Sequence, residues 1–90
     1  MTPTEILAVR DRLGLSQPQL AQLLGVHPLT VSKWERGLLA PSQHQETLLQ
    51  SFRKAAKNPD IGKQVASALV AVGVAFALLL LLQAAFRKTK

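Results

Sequence analysis

Few side chains in this 90-residue chain could carry acid–base or covalent chemistry, and they form no catalytic set. The sequence has no cysteine, and its two histidines, His27 and His44, have no second ligand at the spacing that a metal site requires. A Ser/His/Asp set, a carboxylate pair and a glycine-rich phosphate loop are missing as well. These absences predict a protein that is not an enzyme and that uses no metal or cofactor.

The remaining chemistry is that of positive charge and hydrogen bonding. The chain has 11 Lys and Arg residues against 5 Asp and Glu residues, which gives a formal net charge of +6. A basic chain favours polyanionic neighbours, which include both nucleic acid and anionic lipid. Which of these two partners the chain binds depends on the secondary-structure elements that carry the basic and polar side chains.

Start and stop signals divide the first 57 residues into four short helices. Three capping boxes predict helix starts, at Thr2, Ser16 and Ser42. Three glycines predict helix ends, at Gly14, Gly25 and Gly37. The pattern predicts an all-α fold with a compact four-helix domain over residues 1–57. The short turn at Gly25 joins two of these helices at a steep angle, which is the helix-turn-helix arrangement.

The motifs around that turn are specific. They read LGLSQ at 13–17, LA at 20–21, LGV at 24–26, TVS at 30–32 and WERG at 34–37. With these motifs, residues 4–56 resemble the Cro/phage-repressor (XRE-like) family of helix-turn-helix proteins. The resemblance implies double-stranded DNA as a partner and places the third helix in the major groove.

The resemblance also implies a set of DNA-contacting residues, which are Gln17, Pro28, Leu29, Thr30, Ser32, Lys33 and Arg36. It further implies that Arg10 forms a structural pair with Glu35. Pro28 cannot donate to a base, and Leu29 can offer only an apolar contact, for example to a thymine methyl. Hydrogen-bond readout would then fall to Ser32 and Lys33, so we expect modest sequence selectivity.

A second feature is the apolar segment from Val65 to Phe86, which has no charged residue. One helix of that length would span roughly 33 Å, about the thickness of the hydrocarbon core of a bilayer. The segment therefore predicts a single transmembrane helix over 65–86, after a short linker at 58–64 and before a basic tail at 87–90. Small residues around Gly73 could also let two such helices pair as a homodimer.

Together these features predict a membrane-anchored DNA-binding protein, either a transcriptional regulator or a tether between DNA and the lipid bilayer. Its N-terminal domain would face the cytoplasm. Two alternatives stay open. One is an adaptor similar to the RodZ-type cell-shape proteins, whose helix-turn-helix domain binds a protein partner. The other is a soluble repressor or antitoxin whose C-terminal helix builds an oligomer core.

Overall fold

The computed structural model describes residues Met1–Phe86, which form six α-helices. In chain order the helices are α1 (Pro3–Leu13), α2 (Gln17–Leu24), α3 (Pro28–Glu35), α4 (Gln43–Ala55), α5 (Ile61–Ala71) and α6 (Val74–Phe86). The predicted basic tail, 87–90, lies outside these residues. The all-α prediction is confirmed, but six helices replace the predicted four short helices and one long helix.

The helix starts follow from local sequence. Thr2, Ser16 and Ser42 each accept a hydrogen bond from the backbone N–H three residues later, and the side chain at that position bonds back to the cap. These reciprocal bonds satisfy backbone donors that a helix leaves free at its first turn. The three predicted capping boxes are therefore confirmed.

One hydrophobic core joins all six helices. Its largest fully buried side chains are Trp34, Phe52, Ile6, Leu13, Leu20, Leu49 and Leu81. The first four helices supply most of this set, and Val65 of α5 and Ala77 of α6 are equally inaccessible. The C-terminal helices are therefore part of the same core as the N-terminal domain.

The apolar segment does not form the single long helix that the sequence predicts. α5 ends at Ala71, and Gly73 then adopts a φ of 136°, a conformation that side-chain-bearing residues rarely adopt. The segment instead contains the last seven residues of the 11-residue α5 and the whole of the 13-residue α6, and the two helices form a hairpin. α6 folds back along α5 and packs against α4.

The predicted membrane location is therefore wrong. Among residues 1–86, no helix combines the length and the apolar character that a bilayer crossing requires. The uncharged residues from Val65 to Phe86 would be long enough to cross a bilayer only as one straight helix. The break at Gly73 leaves α6, the longer piece, with a rise of only about 20 Å. Residues 61–64, which were predicted to be linker, are the start of α5.

Candidate nucleic-acid interface

The turn between α2 and α3 positions the candidate interface. α2 ends at Leu24 and is capped by Gly25, whose φ of 68° is left-handed and whose N–H donates to the carbonyl of Gln22. The next N–H, that of Val26, donates to the carbonyl of Ala21 over 3.0 Å. Both bonds satisfy carbonyls that a helix end leaves without partners. They allow α3 to begin after only three intervening residues and to pack against α2.

α3 is amphipathic, and its buried side fixes its orientation. Val31 and Trp34 lie three residues apart and are almost completely buried, at 0 % and 1 % exposure. At 100° per residue they occupy the side of the helix opposite Leu29, Ser32, Lys33 and Arg36. We call these four residues the α3 outer face. Leu29, Lys33 and Arg36 are exposed, whereas Ser32 is half-buried.

The N-terminal end of α3 is capped by a histidine. Nδ1 of His27 accepts a hydrogen bond of 3.0 Å from the N–H of Leu29, and Pro28 occupies the first turn, where a missing N–H has no cost. Leu29 then extends from the protein with 52 % of its surface exposed. Pro28 and Thr30 are half-buried beside it, so of these three residues Leu29 is the most accessible.

Two polar members of the α3 outer face are bonded to each other. Nε of Arg36 donates to Oγ of Ser32 over 3.2 Å. The bond leaves the Ser32 hydroxyl hydrogen free to donate and the two terminal nitrogens of Arg36 free to bind an oxygen ligand. The contact is absent from the sequence-based prediction, although the four-residue spacing of Ser32 and Arg36 is a signal for it.

A partly buried ion pair holds α3 against α1 and α2. Nε of Arg10 lies 2.6 Å from Oε2 of Glu35, and Nη2 of Arg10 donates to Oε1 of Glu35 over 3.0 Å. Arg10 also donates to the carbonyl of Leu15, and Nε2 of Gln17 donates to Oε1 of Glu35, each over 3.0 Å. Glu35 thus accepts three hydrogen bonds from two other helices.

The electrostatics of this network favour its charged form. Burial by itself would raise the pKa of the Glu35 carboxyl, but the hydrogen bonds from Arg10 and Gln17 and the charge of Arg10 outweigh burial. The pKa of Glu35 therefore lies below its ordinary value. The hydrogen bond to Glu35 raises the pKa of Arg10, against the opposing effect of burial. Both groups stay ionised at neutral pH.

The predicted phosphate contact at Gln17 is constrained by this network. The side-chain NH₂ of Gln17 is directed to Glu35, and at the start of α2 Pro18 has no N–H to offer. The N–H of Gln19 is bonded to Oγ of Ser16 over 3.2 Å. The backbone N–H of Gln17 is thus the donor that this helix end retains for an anion.

The structure separates the predicted site residues into two groups. One group is the α3 outer face, which contains Leu29, Ser32, Lys33 and Arg36. Gln17 is connected to α3 by the hydrogen bond from its side chain to Glu35. The residues predicted to mark a membrane span lie elsewhere: Val65 is buried in the core, Gly73 forms the turn and Phe86 is exposed at the end of α6. Within residues 1–86, no group of three or more His, Cys, Asp or Glu side chains could hold a metal ion.

The architecture of α2, turn and outward-facing α3 defines a helix-turn-helix module. A protein family described as Helix-turn-helix matches residues 6–45, from α1 to the first turn of α4. The resemblance inferred from the motifs is confirmed for these residues, and the match stops before α5 and α6. No curated protein and no solved structure matches the chain.

Proposed function

We propose that the protein is a transcriptional regulator that binds double-stranded DNA with α3 in the major groove. The observation that carries this proposal is the α3 outer face, which presents Ser32, Lys33 and Arg36 around the apolar Leu29. An α-helix fits the width of the major groove, and hydroxyl and cationic groups suit base edges and phosphates. The net charge of +6 supplies the long-range attraction to a polyanion.

Each residue of the α3 outer face has a separate role in this proposal. Leu29 contacts a thymine methyl, and the Ser32 hydroxyl donates to a base acceptor or a phosphate. Lys33 and Arg36 neutralise phosphates, with Arg36 held in place by its bond to Ser32. Because a single hydroxyl carries most of the hydrogen-bond readout, the non-specific part of the affinity should be large.

The test measures binding of the full chain to a pool of random-sequence duplexes by fluorescence anisotropy at several salt concentrations. The full chain is needed because α5 and α6 complete the core. We expect tight binding at low salt, and we expect Lys33→Ala to weaken it about 3- to 10-fold and to reduce the slope of log K against log salt by about 1.

Lys57→Ala is the matched control because Lys57 is an exposed lysine that follows α4 and lies outside the α3 outer face. It removes the same charge and should change affinity less than Lys33→Ala. Equal losses from the two variants would show diffuse attraction to the whole chain instead of docking through α3. Absence of binding at about 50 mM salt would rule the proposal out.

A second candidate function, binding of a protein partner, is favoured by the exposed leucines in and after α3. Leu29 and Leu38 expose 52 % and 64 % of their surface, and Leu39 is nearly as accessible. Exposed leucines of this kind are typical of protein contacts more than of phosphate contacts. A pull-down with and without nuclease separates the two functions, since a protein partner survives digestion of DNA.

A further inference from the structure

His27, the residue immediately before α3, has one ring nitrogen in use and one free. Nδ1 accepts a hydrogen bond of 3.0 Å from the N–H of Leu29. A ring nitrogen that accepts carries no proton, so the bond assigns the neutral tautomer with its proton on Nε2. Within residues 1–86 no group accepts a hydrogen bond from Nε2, and His27 is exposed. The ring therefore presents a donor of fixed tautomer to solvent.

The backbone at this end of α3 has no comparable donor. Pro28 has no N–H, and the N–H of Leu29 is bonded to His27. The N–H of Thr30 donates to the carbonyl of His27 over 2.9 Å. These are the backbone groups that a helix start ordinarily leaves free. A ligand that approaches here meets the Nε2–H group of the imidazole instead of backbone N–H groups.

We propose that Nε2–H of His27 donates a hydrogen bond to a phosphate oxygen of the bound DNA while the ring is neutral. This inference rests on the proposed function and adds a contact outside the α3 outer face. Hydrogen bonds to phosphate fix the register of a protein on the duplex and do not read sequence. His27 would thus hold the start of α3 in place while Leu29 and Ser32 meet base edges.

The position of His27 favours a phosphate over a base edge. At 100° per residue, position 27 lies on the side of the α3 axis that carries Val31 and Trp34, nearly opposite the middle of the α3 outer face. His27 therefore does not share the orientation that brings the α3 outer face to the base edges. The major groove is about 12 Å wide and a helix with its side chains about 10–12 Å across, so the sugar–phosphate strands flank the helix closely.

The uncharged state of the ring gives this contact a distinct signature. Nδ1 must stay unprotonated to accept the Leu29 N–H, so the ring that donates from Nε2 has no charge. A neutral donor displaces no counterion from DNA, whereas Lys33 and Arg36 each do. The contribution of His27 to affinity should therefore be the same at every salt concentration.

The test separates the donor from the cap. Serine is among the best N-cap residues, so His27→Ser retains the cap of α3 and removes Nε2, whereas His27→Ala removes both. We expect both variants of the full chain to bind random-sequence duplexes about 3- to 10-fold more weakly than wild type, with an unchanged slope of log K against log salt. Only His27→Ala should also lower the melting temperature.

His44→Ser is the matched control, because His44 is the other histidine of the chain and is exposed on α4. Its affinity for DNA should stay within about twofold of wild type. Wild-type affinity of His27→Ser, or an equal loss from His44→Ser, overturns the inference but leaves the proposed function standing if Lys33→Ala weakens binding.

Two further outcomes count against the contact. A slope reduced by about 1 in His27→Ser would show that the ring is charged on DNA, which overturns the neutral donor. Absence of binding by the wild-type chain overturns the proposed function and this inference together.

Discussion

At the scale of single residues, Glu35 is the central side chain of the interface. It lies at the last position of α3 and accepts hydrogen bonds from Arg10 of α1 and Gln17 of α2. The side chain of Glu35 is only 7 % exposed. Loss of these partners would therefore leave its charge unpaired and largely shielded from water. Glu35 therefore sets the position of α3 and, through it, that of Ser32 and Lys33.

Replacing Glu35 by glutamine should lower stability in a pH-dependent way. A carboxyl whose pKa is lower in the folded state stabilises the protein above its unfolded-state pKa, and this stability is lost as the pH falls through the folded-state pKa. We expect Glu35→Gln to lower the free energy of unfolding at pH 7 by about 1–3 kcal/mol. The difference from wild type should shrink as the pH falls below 4.5, the ordinary value for this carboxyl.

Urea denaturation at a series of pH values between 3 and 7 measures this difference. Asp11→Asn is the control, because Asp11 is an exposed acid on α1 and its replacement should change the free energy of unfolding at pH 7 by no more than about 0.5 kcal/mol. A Glu35→Gln deficit that stays constant down to pH 3 would contradict the proposed origin of the stability in the carboxylate charge.

At the scale of elements, the sequence predicts what is decided locally and misses what is decided by packing. The starts of α1, α2 and α4 depend on a cap residue and its partner three positions later, so the motifs at Thr2, Ser16 and Ser42 are sufficient. The α3 outer face follows in the same way from helical spacing and from family motifs. The Ser32–Arg36 bond depends on side-chain conformation, which residue spacing alone does not specify.

The hairpin of α5 and α6 shows why the rest could not be predicted. An uncharged run over 65–86 has the same composition whether its surroundings are lipid or protein, because both are apolar. The only helix-breaking residue in the sequence of this segment is Gly73, which lies between two β-branched valines, and valine is a poor helix former. Because glycine is also tolerated within membrane helices, Gly73 is only a weak signal for a helix break. The packing of α6 on α4 depends on tertiary structure, which the local sequence does not contain.

The break at Gly73 can be tested by whether Gly73→Ala lowers or raises the free energy of unfolding. Gly73 has a φ of 136°, and a Cβ added there would meet no atom within 4 Å. The cost of Gly73→Ala is therefore that of the backbone conformation alone, about 1–3 kcal/mol in the free energy of unfolding. If residues 65–86 were one continuous helix, alanine would instead stabilise it by about 1 kcal/mol. Chemical denaturation followed by circular dichroism distinguishes the two outcomes.

At the scale of the whole molecule, the C-terminal hairpin and the N-terminal helices form one body of 38 × 29 × 20 Å. Gly62 shows how closely they approach each other. A Cβ built on Gly62 of α5 would lie 2.2 Å from the carbonyl oxygen of Leu13 at the end of α1 and 2.8 Å from the carbonyl carbon. Both atoms belong to the backbone, so a side chain at position 62 forces one of the two helices to move.

Gly62→Ala should therefore destabilise the whole protein, although alanine is the better helix former by about 1 kcal/mol. We expect a net loss of about 1–3 kcal/mol in the free energy of unfolding, the usual cost of overpacking, in a single cooperative transition. Ser67→Ala on the exposed side of α5 is the control and should change stability by no more than about 0.5 kcal/mol. A Gly62→Ala protein that is more stable than wild type would mean that α5 does not pack against α1 in solution, and the hairpin would then be a separate unit.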